Sequence, residues 1–229
     1  MSPTVEAPIR ARLGGPLKLA LPRGALWEPT LDALDGIGAD TTEMRSDSRS
    51  LIFSARAGAE LTVVTMRPSD VPTYVEAGAA DLGITGKDVL MEQADRVVYE
   101  VLDLGYGGCR MVLAAREGDA SLGESERRVG EMRIATKYPR VAERYFEQTG
   151  RRAEVIEVKG SVELAPLVGL ADGIVDLVAT GRTLAENGLE VREEIASSTA
   201  RLVANRVSHK LRAGEVDELV ERLRPGRSG

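Results

Sequence analysis

The chain has 229 residues, 43% hydrophobic, 29% charged and 3% aromatic, and its 30 basic and 36 acidic side chains leave a net charge of −6. That balance excludes a general affinity for nucleic acid or anionic membranes, and so few aromatics exclude binding through rows of stacked rings. The lone Cys109 and lone His209 exclude an internal disulfide, a multi-cysteine metal site and a His-pair metal site.

Residues 1–16 read as a polar, proline-containing tail without periodicity and without the apolar core of a signal peptide. No apolar run approaches the ~20 residues that cross a bilayer, so the expected compartment is the cytoplasm. Strand–helix alternation then begins. Leu17–Leu21 is a short buried-type strand and Glu28–Leu34 the first helix. Leu51–Ala55 and Leu61–Met66 form a hairpin across Arg56–Glu60. Ser69 stands where it would cap a helix running to about Ala77, with Pro72 in the first turn. Leu82–Thr85 is a strand and Lys87–Gln93 a helix.

Strands at Val97–Leu102 and Arg110–Ala115 flank Gly105, Gly107 and Gly108, and the polar stretch Glu117–Glu131 shows no period. Arg133–Ala135 is a strand, after which Val141, Ala142, Tyr145, Phe146 and Thr149 recur on one helical face. Ala153–Val158 is a strand, Val162–Leu170 a helix and Ile174–Val178 a strand rich in β-branched residues. His209 lies in a segment that reads as helix, which leaves it unsuited to a catalytic triad. Val216, Leu219, Val220 and Leu223 then mark a closing amphipathic helix. The expectation is an α/β protein of two lobes with a cleft where ligands bind. Lobe I would comprise residues 17–98 and 194–229, and lobe II residues 99–193. The 24 glycines suit such a protein, with its tight turns and backbone-lined ligand loops.

The richest chemistry lies between Asp172 and Leu184. An apolar strand runs into Thr180-Gly181-Arg182-Thr183, where backbone N–H groups, two hydroxyls and a guanidinium gather before a short helix. That set suits a phosphate monoester. Asp172 and Asp176 lie just upstream, where carboxylates accept hydrogen bonds from the hydroxyls of a ribose. The same residues also fit an ordinary strand-to-helix turn capped by Thr180 or Thr183. Pro22-Arg23-Gly24 ends the first strand, and Arg45 to Arg49 place two guanidiniums and two hydroxyls within five residues. The first suits a phosphate or a common loop, the second a polyanion or a solvated loop. Gly107-Gly108-Cys109-Arg110 brings a guanidinium to the start of a strand, with Cys109 read as a packing residue.

In order along the chain, several runs resemble the catalytic core of the ATP phosphoribosyltransferases, the first enzymes of histidine biosynthesis. They are Leu-Pro-Arg-Gly (21–24), Arg-Pro-Ser-Asp-Val-Pro (67–72), Asp-Leu-Gly-Ile-Thr-Gly-Lys-Asp (81–88), Arg-Ile-Ala-Thr-Lys-Tyr-Pro (133–139) and Gly-Ser-Val-Glu-Leu-Ala-Pro (160–166). The most specific is Ala171–Leu189, and the whole resemblance covers roughly residues 17–224. It implies a two-lobed fold similar to type II periplasmic binding proteins. It also implies a site for phosphoribosyl pyrophosphate (PRPP) made by Glu163, Asp172, Asp176, Ala179, Thr180, Gly181, Arg182, Thr183 and Leu184. ATP would lie against Arg23, Gly24, Arg49, Asp70, Asp88 and Arg110, with Asp176, Arg23 and Arg110 closest to the chemistry. In that chemistry N1 of adenine attacks C1 of PRPP and expels pyrophosphate, with Mg²⁺ entering on the substrate and no protein metal site.

The length resembles the short form of the family, which works with a regulatory subunit resembling histidyl-tRNA synthetase and is a homodimer alone. A small-anion sensor on the same fold is the rival reading, since fold does not fix function. A dinucleotide-dependent dehydrogenase is excluded, because no Gly-x-Gly-x-x-Gly turn follows the first strand.

Overall fold

The structure is a computed structural model that describes residues 15–46, 49–118, 122 and 130–226. In chain order the first elements are β1 (Leu17–Pro22), α1 (Trp27–Gly36), α2 (Thr42–Arg45), β2 (Ile52–Ala57) and β3 (Ala59–Met66). A 3-10 turn, Pro68–Asp70, leads into α3 (Val71–Glu76), β4 (Leu82–Gly86), α4 (Lys87–Glu92), β5 (Val98–Asp103) and β6 (Cys109–Arg116). Next come β7 (Met132–Thr136), α5 (Pro139–Thr149), β8 (Ala153–Glu157), α6 (Leu164–Leu167), β9 (Gly173–Val178) and α7 (Arg182–Glu186). The chain closes with β10 (Leu189–Ser198), β11 (Ala200–Asn205), α8 (Arg206–Leu211) and α9 (Ala213–Leu223).

These elements divide into two compact units. The first comprises the chain up to Leu90, Asp95–Gly107 and everything from Thr199; the second comprises Met91–Ala94 and Gly108–Ser198. The boundaries differ from the expected 98/99 and 193/194 for a reason of pairing. β5 is hydrogen-bonded to β11 and so stays in the first unit, whereas β10 is bonded to β6 and stays in the second.

The first unit is a six-stranded sheet in the order β2-β3-β1-β4-β11-β5. Its β1 runs parallel to both β3 and β4, and its apolar run is fully buried at Leu17, Leu19, Ala20 and Leu21, as a strand covered on both faces requires. Leu17, Leu19 and Leu21 meet Leu31 and Leu34 of α1 and Val216, Leu219 and Leu223 of α9. On the other face Ala20 meets Val71 and Val75 of α3. Below this core sits a buried ionic knot. The Asp81 carboxylate accepts the Lys18 N–H at 2.9 Å and the Ser208 hydroxyl at 2.6 Å, and the Arg212 guanidinium lies 3.5 Å away. Arg212, its side chain 4% exposed, also donates to the carbonyl of Gly15 and to the carboxylate of Glu215.

The second unit is a five-stranded sheet in the order β10-β6-β9-β7-β8. Its central β9 is parallel to β7 and antiparallel to β6. Alternation sorts its side chains to two faces. Val175 packs with Ile134 and with Val141, Ala142 and Phe146 of α5, while Ile174 and Val178 pack with Ala135, Ala165 of α6 and Leu184 of α7. Pro139 opens α5 and Gly150, at φ +69°, closes it, the asymmetry that helices favour. The Glu92 carboxylate caps its first turn, accepting the N–H groups of Arg140 and Val141 at 3.1 Å each.

Three local expectations change. Ser69 caps no helix; its hydroxyl points to the Asp70 carboxylate at 3.3 Å. The helix expected over Val162–Leu170 shrinks to Leu164–Leu167, because Gly169 at φ +76° turns the chain back towards β9. The tail before Gly15 and most of Glu117–Glu131 lie outside the described residues.

The ionic knot yields the first prediction. Arg212→Ala leaves Asp81 buried without its counter-charge, and breaking such a pair costs about 3 kcal/mol or more. The expected result is a lower urea midpoint with an unchanged slope, read by a signal from the first unit. A midpoint equal to that of the unaltered chain contradicts the assignment.

Candidate functional site

The carboxyl ends of the parallel strands β7 and β9 carry the site, the usual place for a ligand in an open α/β sheet. β9 delivers Asp176 to the face that also holds Ile174 and Val178. Past Val178 the chain leaves the sheet through Ala179 and Thr180 and turns at Gly181, whose φ of +81° is left-handed backbone that a side chain would strain. Leu184, 5% exposed, drops back into the core and anchors α7. Ala179, Thr180, Arg182 and Thr183 remain exposed.

Gly181, at the N-cap, offers no side-chain cap, and the Thr180 hydroxyl accepts the Arg182 N–H in a long bond of 3.4 Å. The first-turn N–H groups of Thr183 and Leu184 have no partner inside a helix and stand beside two hydroxyls and a guanidinium. Glu163, Asp176 and the run Leu177 to Leu184 line a single hollow of about 150 Å³.

Asp176 is the unusual group there. It is 9% exposed, and burial pushes its carboxyl above the usual carboxylate range. The Leu177 N–H, 2.9 Å from Oδ1, and the charge of Lys137 draw it back down, while Glu163 opposes them. A buried carboxylate beside a loop of donors can accept hydroxyl groups from a polyol whose phosphate lies on the loop.

A family model described as ATP phosphoribosyltransferase matches residues 67–225. The chain belongs to the ATP phosphoribosyltransferase family. The ATP phosphoribosyltransferase of Rubrobacter xylanophilus is 54% identical over 216 residues, covering 93% of this chain and 96% of that protein. A chain of the ATP phosphoribosyl transferase (HisG:HisZ) complex from Thermotoga maritima has 38% identity and a TM-score of 0.74, covering 90% of this chain and 95% of that one. The periplasmic aliphatic sulphonate binding protein SsuA from Escherichia coli shares the fold alone, with a TM-score of 0.59 at 13% identity, covering 90% of this chain and 70% of that one. The expected type II periplasmic-binding-protein architecture is thereby met, and the chain is a pentosyltransferase of the first step of histidine biosynthesis.

Within this transferase the residues expected at PRPP fall together, with one exception. Asp172 precedes β9 whereas Thr180 follows it, and a six-residue strand of about 20 Å stands between them. Asp172 is instead spent on β7: its carboxylate accepts the Arg133 N–H at 2.8 Å and pairs with the Arg133 guanidinium at 3.1 Å. It stitches the sheet and takes no part in the hollow.

Of the residues expected at ATP, five belong to the first unit. Arg23 follows β1, with its guanidinium 4.1 Å from the Trp27 ring centre and donating to the Ser50 carbonyl at 3.3 Å. Gly24, at φ +89°, has open space where a side chain would stand. Arg49 and Asp70 are exposed, the latter in the 3-10 turn. Asp88 is buried in the first turn of α4, its Oδ1 only 2.1 Å from where a Cβ on Gly86 would lie, so a side chain there would displace the carboxylate. Arg110 belongs to the second unit, opposite Val178 on β6 and 3.2 Å from Glu194. Arg45 is no anion receptor, since Glu28, Asp32 and Asp35 already surround it. Lys137 was not singled out in the sequence; its position one residue past a parallel strand was the available signal.

Asp176→Asn is expected to remove most turnover yet raise the melting temperature at neutral pH. The folded carboxyl titrates above its unfolded counterpart, so the folded chain loses stability as pH rises just above the ordinary carboxylate range. Asparagine escapes that loss, so the gain should be largest at neutral pH and vanish in acid. Paired melting curves check it; an Asn variant less stable at neutral pH contradicts the electrostatic account.

Proposed function

We propose that the hollow binds PRPP and that the chain transfers its phosphoribosyl group to N1 of the adenine of ATP, giving N1-(5-phosphoribosyl)-ATP and pyrophosphate. The observation that carries this reading is the buried Asp176 carboxylate at the foot of the Thr180–Thr183 turn. The turn takes the 5-phosphate on N–H groups, hydroxyls and the Arg182 guanidinium. Asp176 takes the ribose hydroxyls and holds C1 in place, while Glu163 closes the same hollow.

In the reaction the N1 lone pair forms the new bond to C1 as the bond to pyrophosphate breaks, and the electron pair leaves on the pyrophosphate oxygen. Positive charge grows on the ribose ring and negative charge on the departing oxygens. Positioning and fixed charges supply the rate: Asp176 faces the first charge, and Arg110 is assigned to the second. Arg23, Gly24, Arg49, Asp70 and Asp88 are assigned to ATP, with Arg23 also near the reacting atoms. Mg²⁺ arrives as part of the substrate, bound to pyrophosphate oxygens as suits a hard cation that keeps its waters. The assay that tests the whole reading is pyrophosphate release from ATP and PRPP with magnesium.

Thr183→Ala and Arg182→Ala each remove a donor to a dianionic phosphate. Such a bond is worth about 1.5–3 kcal/mol, so each variant should bind PRPP roughly ten- to a hundred-fold more weakly. Calorimetric titration of PRPP reads this directly, and unchanged affinity in both sinks the assignment of the loop.

We also propose that the chain works in the cytoplasm as the catalytic partner of a HisZ-like regulatory subunit resembling histidyl-tRNA synthetase, and is a homodimer without it. Support comes from the Thermotoga maritima complex and from relatives whose length this chain spans almost fully. No helix among the described residues is long and apolar enough to cross a membrane. Feedback by histidine then needs the partner, through a coupling of about 1–3 kcal/mol between two arrangements of the assembly. Histidine titrated into the chain alone should give little binding, and inhibition should appear when the partner is added. Tight, inhibitory histidine binding by the chain alone overturns the two-subunit reading.

A further inference from the structure

The sheet brings a second charge to Asp176 that the reading above does not use. β7 and β9 run parallel with Thr136 registered against Val175, so Lys137 leaves β7 at the level of Asp176. Alternation sorts the strand residues just before it to two faces. Ala135 shares an apolar cluster with Ile174 and Val178, whereas Ile134 shares the other with Val175. Lys137 lies in the bend that follows β7, one position past the Thr136–Val175 pair, and its charge acts on the Asp176 carboxyl.

The backbone at this point is pinned on both sides. The fully buried Thr136 hydroxyl donates to the Val175 carbonyl at 2.6 Å and accepts the Tyr138 N–H at 2.9 Å. Immediately after, the Glu92 carboxylate holds the first turn of α5. The exposed side chain of Lys137 is the adjustable part, and among the described residues no carboxylate holds it in an ion pair.

Other charges on the Asp176 face are committed or distant. Arg116 donates to the Pro166 carbonyl, Arg110 pairs with Glu194, and Arg182 sits in the phosphate turn, with Val112 opposite Asp176 on β6. Glu163 lines the hollow and opposes the ionisation of Asp176, as burial does; the Leu177 N–H and the Lys137 charge favour it.

We infer that Lys137 is a positioning residue for the transfer, its ammonium serving as the counter-charge that keeps Asp176 a carboxylate facing the ribose. The inference rests on the proposed role of Asp176. A neutral carboxyl would retain one acceptor oxygen but lose the negative charge that meets the ribose ring as positive charge develops. The rate would then fall on the acid side, where the carboxyl takes up its proton.

The test compares Lys137→Met and Lys137→Arg with the unaltered chain, in the presence and absence of Asp176→Asn. It measures kcat/KM and calorimetric affinity for PRPP across pH. Ratios to the unaltered chain cancel the titration of the phosphates of PRPP itself. Lys137→Met should move the acid limb to higher pH, with about tenfold loss below the limb for each pH unit moved. At alkaline pH it should approach the unaltered chain, Lys137→Arg should restore the profile, and the melting temperature of Lys137→Met should stay level in acid and fall at neutral pH in step with the limb. In the Asp176→Asn background the Met substitution should add no pH-dependent loss. The inference is overturned by an equal loss at every pH, which would mark a direct phosphate contact, by no loss at all, or by a loss that persists without Asp176. Should Asp176→Asn itself leave PRPP binding and turnover intact, the site reading falls and the inference falls with it.

Discussion

A carboxylate in the central strand of a sheet, with apolar neighbours two residues away on either side, is costly to keep. Ile174 and Val178 flank Asp176 in this way, and it is almost closed off from water. The surroundings are explicable as answers to that cost. β9 is paired on both edges, so its main-chain polar groups are largely satisfied within the ladder and the strain is confined to one side chain. The chain then leaves the sheet at once, which opens a hollow over the carboxylate instead of sealing it beneath a longer helix. On the proposed reading, hydroxyl donors relieve an acid that is unfavourable in the free protein, and part of the ligand's binding arises from a defect already present.

Legibility in the sequence followed locality. The hollow was readable because nine of its ten lining residues are consecutive, from Asp176 to Leu184, and their types alone suggest phosphate. The strands β1 and β9 were readable because burial on both faces leaves an unbroken apolar run. β10 was not: its ten residues carry three glutamates and an arginine, and two register shifts against β6 break any period of two. Nor was β11, whose six residues sit between β4 and β5 without a turn signal before them. The pairing of Asp172 and the place of Lys137 went unread for one reason. Each owes its role to a partner about forty residues away in sequence, Arg133 for the first and Asp176 for the second, and no local pattern reports such a pairing.

The arginines make the same point about charge. Arg45 and Arg182 look alike in a string of letters, each beside hydroxyl residues. The first is ringed by Glu28, Asp32 and Asp35, with Thr41 on its Nε, and serves to hold α2 against α1. The second stands in an exposed turn beside the hollow. An acidic protein can handle anions because its surplus carboxylates are placed to occupy structural cations and leave others available.

The interleaving of the two units bears on how the chain acquires its structure during synthesis. The second unit is nearly one continuous stretch, Gly108–Ser198, whereas the first is assembled from three separated pieces. Its sheet places β11 between β4 and β5, so two strands made early have no bridge between them until residues near Asn205 have left the ribosome. Against the usual order, with the amino-terminal domain folding first as it emerges, the first unit's sheet cannot be completed before the second unit has been made. The inner unit can close on itself while the outer one waits with the unpaired edges of β4 and β5 exposed. Through that interval the nascent chain needs protection from the strand-edge pairing that unprotected edges invite.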